Sequence, residues 1–579
     1  MTLTDDLRRG YAPGVAHTID IPDTTLPRMV EEVAARYPER VALDFFSRPI
    51  TYSQLIERVQ RAAAVLIRAG VAKGDRVGLV MPNCPQHVIA ILATMSIGAI
   101  AVEHNPLAPL GELREEFARH GARVVVAWEK TVPSLSFLDR STTVFSVDIT
   151  RALPGPAQVL LRLPVKSART KRDALSARPP RWARSWDREV AQSPRWLRRI
   201  EVSPDDDALL IHTGGTTGVP KAARLTHRSI LANVAQSITW VPVLHEGAEV
   251  FYCVLPLFHA FGFTVGLMAG LRLGATVALF PKFDTTMILT SQKRLPCTFF
   301  LGVPPMYERL LASAKAMGAD LSSMTFSLSG AMPLSGELAA EWEAATSGLM
   351  IEGYGMTEAS PILLGSPLSA DRRPGALGLP FPSTEIRIVD PEDPDRDVEP
   401  GQTGELLVRG PQVFAGYWRR PDETREVFHE DWLRTGDLVT VREGFVYMAD
   451  RRKEMINSSG FNVYPSQVEE AVRSMPGVRD VAVIGIPAGT AGEDVVAAIV
   501  LEAGASITLA DVREWAEKSL AHYALPRQLV IMTELPRSQL GKVMRKKVRE
   551  QVLGAASSVK DAAGNAAQAL RNVAGRNGE

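Results

Sequence analysis

Apolar residues recur at intervals of three and four along TLPRMVEEVAARYP and ITYSQLIERVQRAAAVLIRAGV, whereas DRVGLVMP and ARVVVAW are short, nearly unbroken apolar runs. The first spacing predicts helices with one buried face, and the second predicts strands covered on both sides. Helix and strand alternate in this way over residues 25–130 and again over 201–390, which predicts an α/β protein built on largely parallel, helix-covered sheets. The proline-rich acidic stretch DPEDPDRDVEPGQTGE interrupts the pattern, and strand-like pieces such as GELLVRG and GFVYMAD follow it. Beyond Asp450 the pattern becomes a compact α+β one: PSQVEEAVRSM and LADVREWAEKSLA as helices, DVAVIGIP and VVAAIVL as strands. The expected division is a large domain over 1–449, a small one over 450–552, and an Ala-rich tail over 553–579. Val559, Ala563, Ala566, Leu570 and Val573 share one helical stripe of that tail, which is expected to be a frayed helix or disordered.

A length of 579 residues requires more than one core. The 65 basic residues equal the 65 acidic ones, so the overall balance gives no case for a nucleic-acid polymer as partner. Cys84, Cys253 and Cys297 are scattered in apolar contexts and read as buried thiols of a reducing compartment. The N-terminus lacks the basic-then-apolar order of a secretory signal. The most apolar run, HVIAILATMSIGAIAVEHNP, has about 15 uninterrupted apolar or weakly polar residues, short of the ~20 that span a bilayer. A cytoplasmic protein is expected. Residues 151–200 carry 13 basic side chains against 3 acidic ones, interleaved with Trp182, Trp186 and Trp196. Two readings stay open for this insertion: a solvated surface with docked tryptophans, or a peripheral contact with the inner face of a membrane.

Between Thr213 and Lys221 three glycines, three threonines, a proline and a lysine follow the apolar run ALLI. Glycine backbone turned toward a ligand, threonine hydroxyls, a lysine charge and the N-terminus of a following helix, RSILANVAQSI, suit a polyphosphate. The order is not that of the common nucleotide loop, because Pro220 precedes Lys221 and Ala222 follows it. By itself the stretch is a phosphate cradle or a flexible turn.

Four further stretches occur in register with HTGGTTGVPK: EGYGMTE at 352–358, LRTGDL at 433–438, DRRKEMINSSGFNVYP at 450–465 and PRSQLGKVMRK at 536–546. Together they resemble the adenylate-forming superfamily, over residues 25–550. The likeness is strongest to bacterial long-chain fatty acyl-CoA synthetases, through GGTTG, SGFNVYP and the basic insertion. The resemblance implies a large domain with a small β-barrel-like part, a small mobile C-terminal domain, and ATP, Mg²⁺ and CoA as cofactor and co-substrates. It implies that a fatty acid is joined to CoA through an acyl-adenylate. By the same resemblance Thr213, Thr216, Thr217 and Lys221, with Gly214, Gly215 and Gly218 between them, hold the β- and γ-phosphates. Thr357 bonds the α-phosphate, Glu358 places Mg²⁺, and Gly353, Tyr354 and Gly355 lie along the adenine with Gly330 and Ala331. Asp437 accepts from the ribose hydroxyls and Arg451 serves the ribose and phosphate region. Lys542 bridges the acyl carboxylate and the α-phosphate. Asp450 is the hinge of a domain rotation that next presents Ser458, Ser459, Gly460 and Phe461 to CoA.

The segment LPLFHAFGF at 255–263 resembles the lining of the acyl site, which assigns His259 and Phe263 to acyl binding, and the family resemblance adds Gly302. His259 stands where amino-acid-activating relatives carry an Asp, which disfavours an α-amino acid substrate, and it is given no acid–base role. Glu103, in EHNPL, falls where a neutral residue is expected. A fatty acyl-AMP ligase that passes the adenylate to a carrier protein stays open as the alternative, as does a silent lipid- or nucleotide-binding protein. A homodimer is also left open.

Overall fold

The computed structural model describes residues 2–554 except 214–220, 347, 459–460, 489–492 and 539–540, with only the backbone described at 453, 461 and 462. Packing divides the chain into two compact units. One comprises Met1–Arg387, Leu407–Thr435 and Arg442–Tyr447; the other comprises Ile388–Leu406, Gly436–Val441 and the chain from Met448 onward. This division does not follow a single boundary at 449/450. Asp437 and the acidic stretch before it pack with the second unit, where Arg452 pairs with Glu392 and Glu405 at 3.1 and 3.3 Å.

The first unit holds two large sheets. In the seven-stranded one the order is Arg184–Ser185, Thr143–Val147, Val124–Trp128, Arg76–Val80, Ile100–His104, Asp207–Thr213 and Lys221–Thr226. All neighbours are parallel except the last pair. The nine-stranded sheet is parallel from Val41–Phe45 through Leu349–Gly355 and antiparallel at its edges, where Ile362–Gly365 and Leu379–Pro380 close one side. Strands buried on both faces explain the unbroken apolar runs.

The apolar run too short for a bilayer divides between the helix Pro85–Ser96, with eleven of its twelve residues buried, and the fully buried strand Ile100–His104. A helix apolar on every side belongs in the middle of a core. Among the described residues no helix is long and apolar enough to cross a membrane. The amphipathic helix Tyr52–Arg68 starts at a capping box, Thr51 with Gln54, that satisfies two of its end N–H groups. Glu103 now has an account: both its oxygens lie 3.0–3.1 Å from Nε2 of the buried His87 on that central helix. All three cysteines are buried, and burial pushes the Cys84 and Cys253 thiols up to about 12.

The basic insertion is neither wholly docked nor wholly solvated. Trp186 is buried and meets Phe145 edge-on at 5.5 Å. Trp182, Val159, Leu160, Leu163, Val165 and Leu197 are exposed.

In the second unit the antiparallel pair Val478–Pro487 and Glu493–Leu501 is joined in parallel by Gln528–Ile531. The helices Pro465–Arg473 and Leu509–Ala516 pack on it through Val468, Val472 and Val512. Helix Leu509–Ala516 stops short of the expected KSLA, and of the tail only residues 553–554 are among those described.

Candidate active site

The phosphate-loop stretch lies at the turn of a hairpin. Strand Asp207–Thr213 pairs antiparallel with Lys221–Thr226, Thr213 opposite Lys221, and Gly214–Pro220 fall outside the described residues. This corrects one expectation: a strand, not a helix, follows the loop. The helix His227–Trp240 begins only after Thr226, whose hydroxyl accepts from Ser229 N in a capping box, so its end donors are spent locally. Gly214, Gly215, Thr216, Thr217 and Gly218 therefore have no described geometry, while Lys221 and Thr213 do.

The ammonium of Lys221 stands 4.9 Å from the ring centre of Tyr417, a cation over a π-face. The Tyr417 hydroxyl donates to Glu358 Oε1 at 2.7 Å. The backbone fastens the same three: Trp418 N donates to Ala222 O at 2.8 Å and Phe414 N to Glu358 O at 2.9 Å. Sequence reasoning missed Tyr417, whose signal is the aromatic run FAGYW, 59 residues beyond its partner. Burial and the neighbouring carboxylate hold its phenol above the ordinary range, so it stays a donor. With Oε1 occupied, Oε2 of the buried Glu358 accepts no hydrogen bond among the described residues. A carboxylate oxygen in reserve suits a hard cation such as Mg²⁺.

Strand Leu349–Gly355 delivers EGYGMTE to the same region, with Gly353 opposite both Gly330 and Gly365 and Tyr354 opposite Leu364. A Cβ on Gly355 would come within 2.0 Å of Pro361 O, so only glycine fits. Gly330 ends strand Phe326–Gly330 with the Phe261 ring where its Cβ would be, and the exposed Ala331 beyond it holds a left-handed φ of 64°. Thr357 opens a single 3₁₀ turn, Thr357–Ala359. Glu352, also missed, accepts from Leu334 N at 3.0 Å and Gly375 N at 2.8 Å, and burial raises its carboxyl to about 7.

On the acyl side, Phe263 is fully buried and starts from His259, whose carbonyl accepts its N–H at 3.0 Å. His259 Nδ1 accepts from Phe261 N, and burial lowers this imidazole to about 4, which leaves it neutral at pH 7. Gly302 closes strand Phe299–Gly302 against the rings of Phe300 and Tyr307. None of these three lines the narrow apolar cavity of about 20 Å³ bounded by Trp240, Phe251, Val265, Phe299, Phe326 and Leu328.

The second unit gathers its own group. Asp437 Oδ1 meets Arg451 Nε at 3.2 Å. Lys542 follows a turn in which Ser538 N donates to Lys542 O at 2.7 Å and Gly541 takes a φ of 80°. Burial first, and then the Arg451 charge, lower the Lys542 ammonium to about 8, against the pull of Glu454 and Asp437. Asp450 is buried and accepts from Ser466 N and Oγ, at 2.9 and 2.6 Å, at the start of helix Pro465–Arg473. Of the CoA-side loop, Ser458 is buried with a hydroxyl that has no hydrogen-bond partner among the described residues. Phe461 is placed by its backbone opposite Ser458, and Ser459 and Gly460 lie outside the described residues.

Residues 30–418 match the AMP-binding enzyme family and residues 467–542 match the AMP-binding enzyme C-terminal domain. The chain belongs to this family of adenylate-forming enzymes. It is 34% identical to a long-chain-fatty-acid–CoA ligase of Bacillus subtilis (strain 168), over 93% of this chain and 97% of that one. It is 36% identical to the enzyme of the same name from Escherichia coli O157:H7, over 92% and 95%. Among solved structures it resembles ATP-bound MatB from Rhodopseudomonas palustris, at 28% identity and a TM-score of 0.75, over 91% of this chain and 99% of that one.

Tyr417→Phe keeps the ring beneath Lys221 and removes the bond to Glu358. Adenylate formation, followed by pyrophosphate release, is expected to slow about tenfold, the effect of losing one charge-assisted hydrogen bond. An unchanged rate would remove Tyr417 from the site.

Proposed function

We propose that the protein is a long-chain fatty acid–CoA ligase, forming acyl-CoA, AMP and pyrophosphate from a fatty acid, ATP and CoA. In the first step a carboxylate oxygen attacks the α-phosphorus and pyrophosphate leaves. In the second the CoA sulfur attacks the acyl carbon and AMP leaves. The observation that carries the residue roles is the half-buried ammonium of Lys542, which feels the charges of Arg451, Glu454 and Asp437. A desolvated cation there neutralises the approach of two anions far better than one in water.

Lys221 holds the departing pyrophosphate, with Thr213, Thr216, Thr217 and the loop glycines Gly214, Gly215 and Gly218. Thr357 bonds the α-phosphate, and Glu358 would hold Mg²⁺, which supplies charge neutralisation when bound. Gly330, Ala331, Gly353, Tyr354 and Gly355 form the adenine wall; Asp437 and Arg451 serve the ribose. Ser458 to Phe461 form the CoA-side loop, and Asp450 is the hinge between half-reactions. His259, Phe263 and Gly302 serve the acyl group, in the apolar surroundings in which Phe263 is fully buried. Each buried methylene adds about 0.8 kcal/mol there, which favours long chains.

A second proposal concerns location. Val159, Leu160, Leu163 and Val165 are exposed within a run bearing Arg162, Lys166, Arg169, Lys171 and Arg172. Apolar side chains beside basic ones suit a peripheral contact with an anionic bilayer, as a fatty acid substrate would favour.

With ATP, Mg²⁺ and a panel of fatty acids, CoA-dependent acyl-CoA formation is expected, greatest for long chains. Pyrophosphate without acyl-CoA would indicate an acyl-AMP ligase, and neither product a silent protein. Lys542→Ala is expected to abolish adenylation and to spare thioester formation from supplied acyl-adenylate. Because the lowered pKa removes the ammonium as pH rises through about 8, wild-type adenylation should decline above that pH while the thioester step does not. Near-normal pyrophosphate release by the variant would refute the role. In flotation assays, binding to anionic vesicles at low salt should be lost at high salt and weakened in Leu160→Glu. Absent or salt-indifferent binding would sink the membrane proposal.

A further inference from the structure

Three histidines meet inside the first unit in a cluster the reaction does not use. His104 ends strand Ile100–His104, His120 ends helix Leu110–His120, and His212 lies one residue before the end of strand Asp207–Thr213. One ring nitrogen of each lies within 4.8 Å of those of the other two. Their ring centroids are 4.9, 5.0 and 6.0 Å apart. Ligand nitrogens around one tetrahedral ion at its usual bond length stand about 3.3 Å apart, so the three rings would draw together when an ion binds.

The hydrogen bonds prepare two of the rings. His104 Nδ1 donates to Glu116 Oε2 at 2.7 Å, and His212 Nδ1 donates to the Glu103 carbonyl at 3.1 Å. With the proton fixed on Nδ1, each ring keeps its lone pair on Nε2, and a carboxylate or carbonyl behind a ligating histidine is the arrangement that orients it toward a metal. Those Nε2 atoms, and that of His120, are buried without a hydrogen-bond partner among the described residues. Buried ring nitrogens ordinarily find a partner, so three orphans within one cluster ask for a shared one. Phe117 stacks on His104 at 4.4 Å and walls the cluster with an apolar face. His120 is the weakest of the three, because its Nδ1 accepts from Ala122 N at 3.1 Å and leaves the proton on Nε2. It joins by turning its ring and giving up that bond.

We infer that His104, His120 and His212 form a buried binding site for one divalent transition-metal ion of the zinc class. Neutral imidazoles without thiolates select such ions over Mg²⁺, which prefers oxygen. The role is structural: the ion would pin a strand, a helix and the strand that leads through Thr213 into the phosphate loop.

The test uses the full chain, free of any affinity tag, stripped with chelator and titrated with Co²⁺ or Zn²⁺. Visible Co²⁺ absorption bands, one Zn²⁺ per chain by mass spectrometry and a higher melting temperature with Zn²⁺ are expected. His104→Gln and His212→Gln should each lower affinity at least tenfold, and Glu116→Gln about tenfold through the lost orienting bond. The exposed His245→Gln should leave binding unchanged. In the unaltered protein, absence of the bands, less than about 0.1 ion per chain and no thermal shift would overturn the site. So would stoichiometric binding that His104→Gln and His212→Gln leave intact.

Discussion

Two anions must meet before any bond changes: a carboxylate and the α-phosphate of a triphosphate. At 4 Å and a surface-like dielectric, each pair of unit charges repels by about 4 kcal/mol, so positive charge has to be supplied and held where water does not dilute it. The two lysines assigned to this task belong to different compact units. Lys221 opens a strand of the first and rests over the Tyr417 ring, which itself holds Glu358. Lys542 belongs to the second, where burial lowers its ammonium to about 8. A cation that is weakly solvated yet still protonated at neutral pH is the most effective partner for a developing negative charge.

The sheets explain how short motifs reach such positions. In a parallel sheet the loops leaving the carboxyl ends of neighbouring strands cluster on one edge. Gly330 and Gly353 sit side by side at the ends of two such strands, and EGYGMTE continues from one of them. The Cβ that Gly355 lacks would strike Pro361 O, so the backbone turn that presents Thr357 and Glu358 depends on that glycine.

Periodicity made the main helices and strands legible, and five motifs in register named most of the proposed site. What was not legible depends on pairing through space. KAARLT carries little alternation, so nothing local separates the strand Lys221–Thr226 from the approach to the helix that follows it. Tyr417 reaches Glu358 across 59 residues, and Glu103 has its counterpart 16 residues earlier in His87. The same holds for the second unit, whose acidic stretch is recruited by Arg452 through ion pairs that no local pattern announces. The histidine cluster draws one residue from each of three elements: His104 lies in EHNPL, His212 in HTGGTTGVPK and His120 in neither, and no local spacing joins them.

The most direct test of the adenylate intermediate is exchange of labelled pyrophosphate into ATP with no CoA present. Exchange that depends on a long-chain fatty acid and on Lys542 is the predicted result. Acyl-CoA formation with no exchange, or exchange that needs CoA, would contradict a mechanism in which the adenylate forms first.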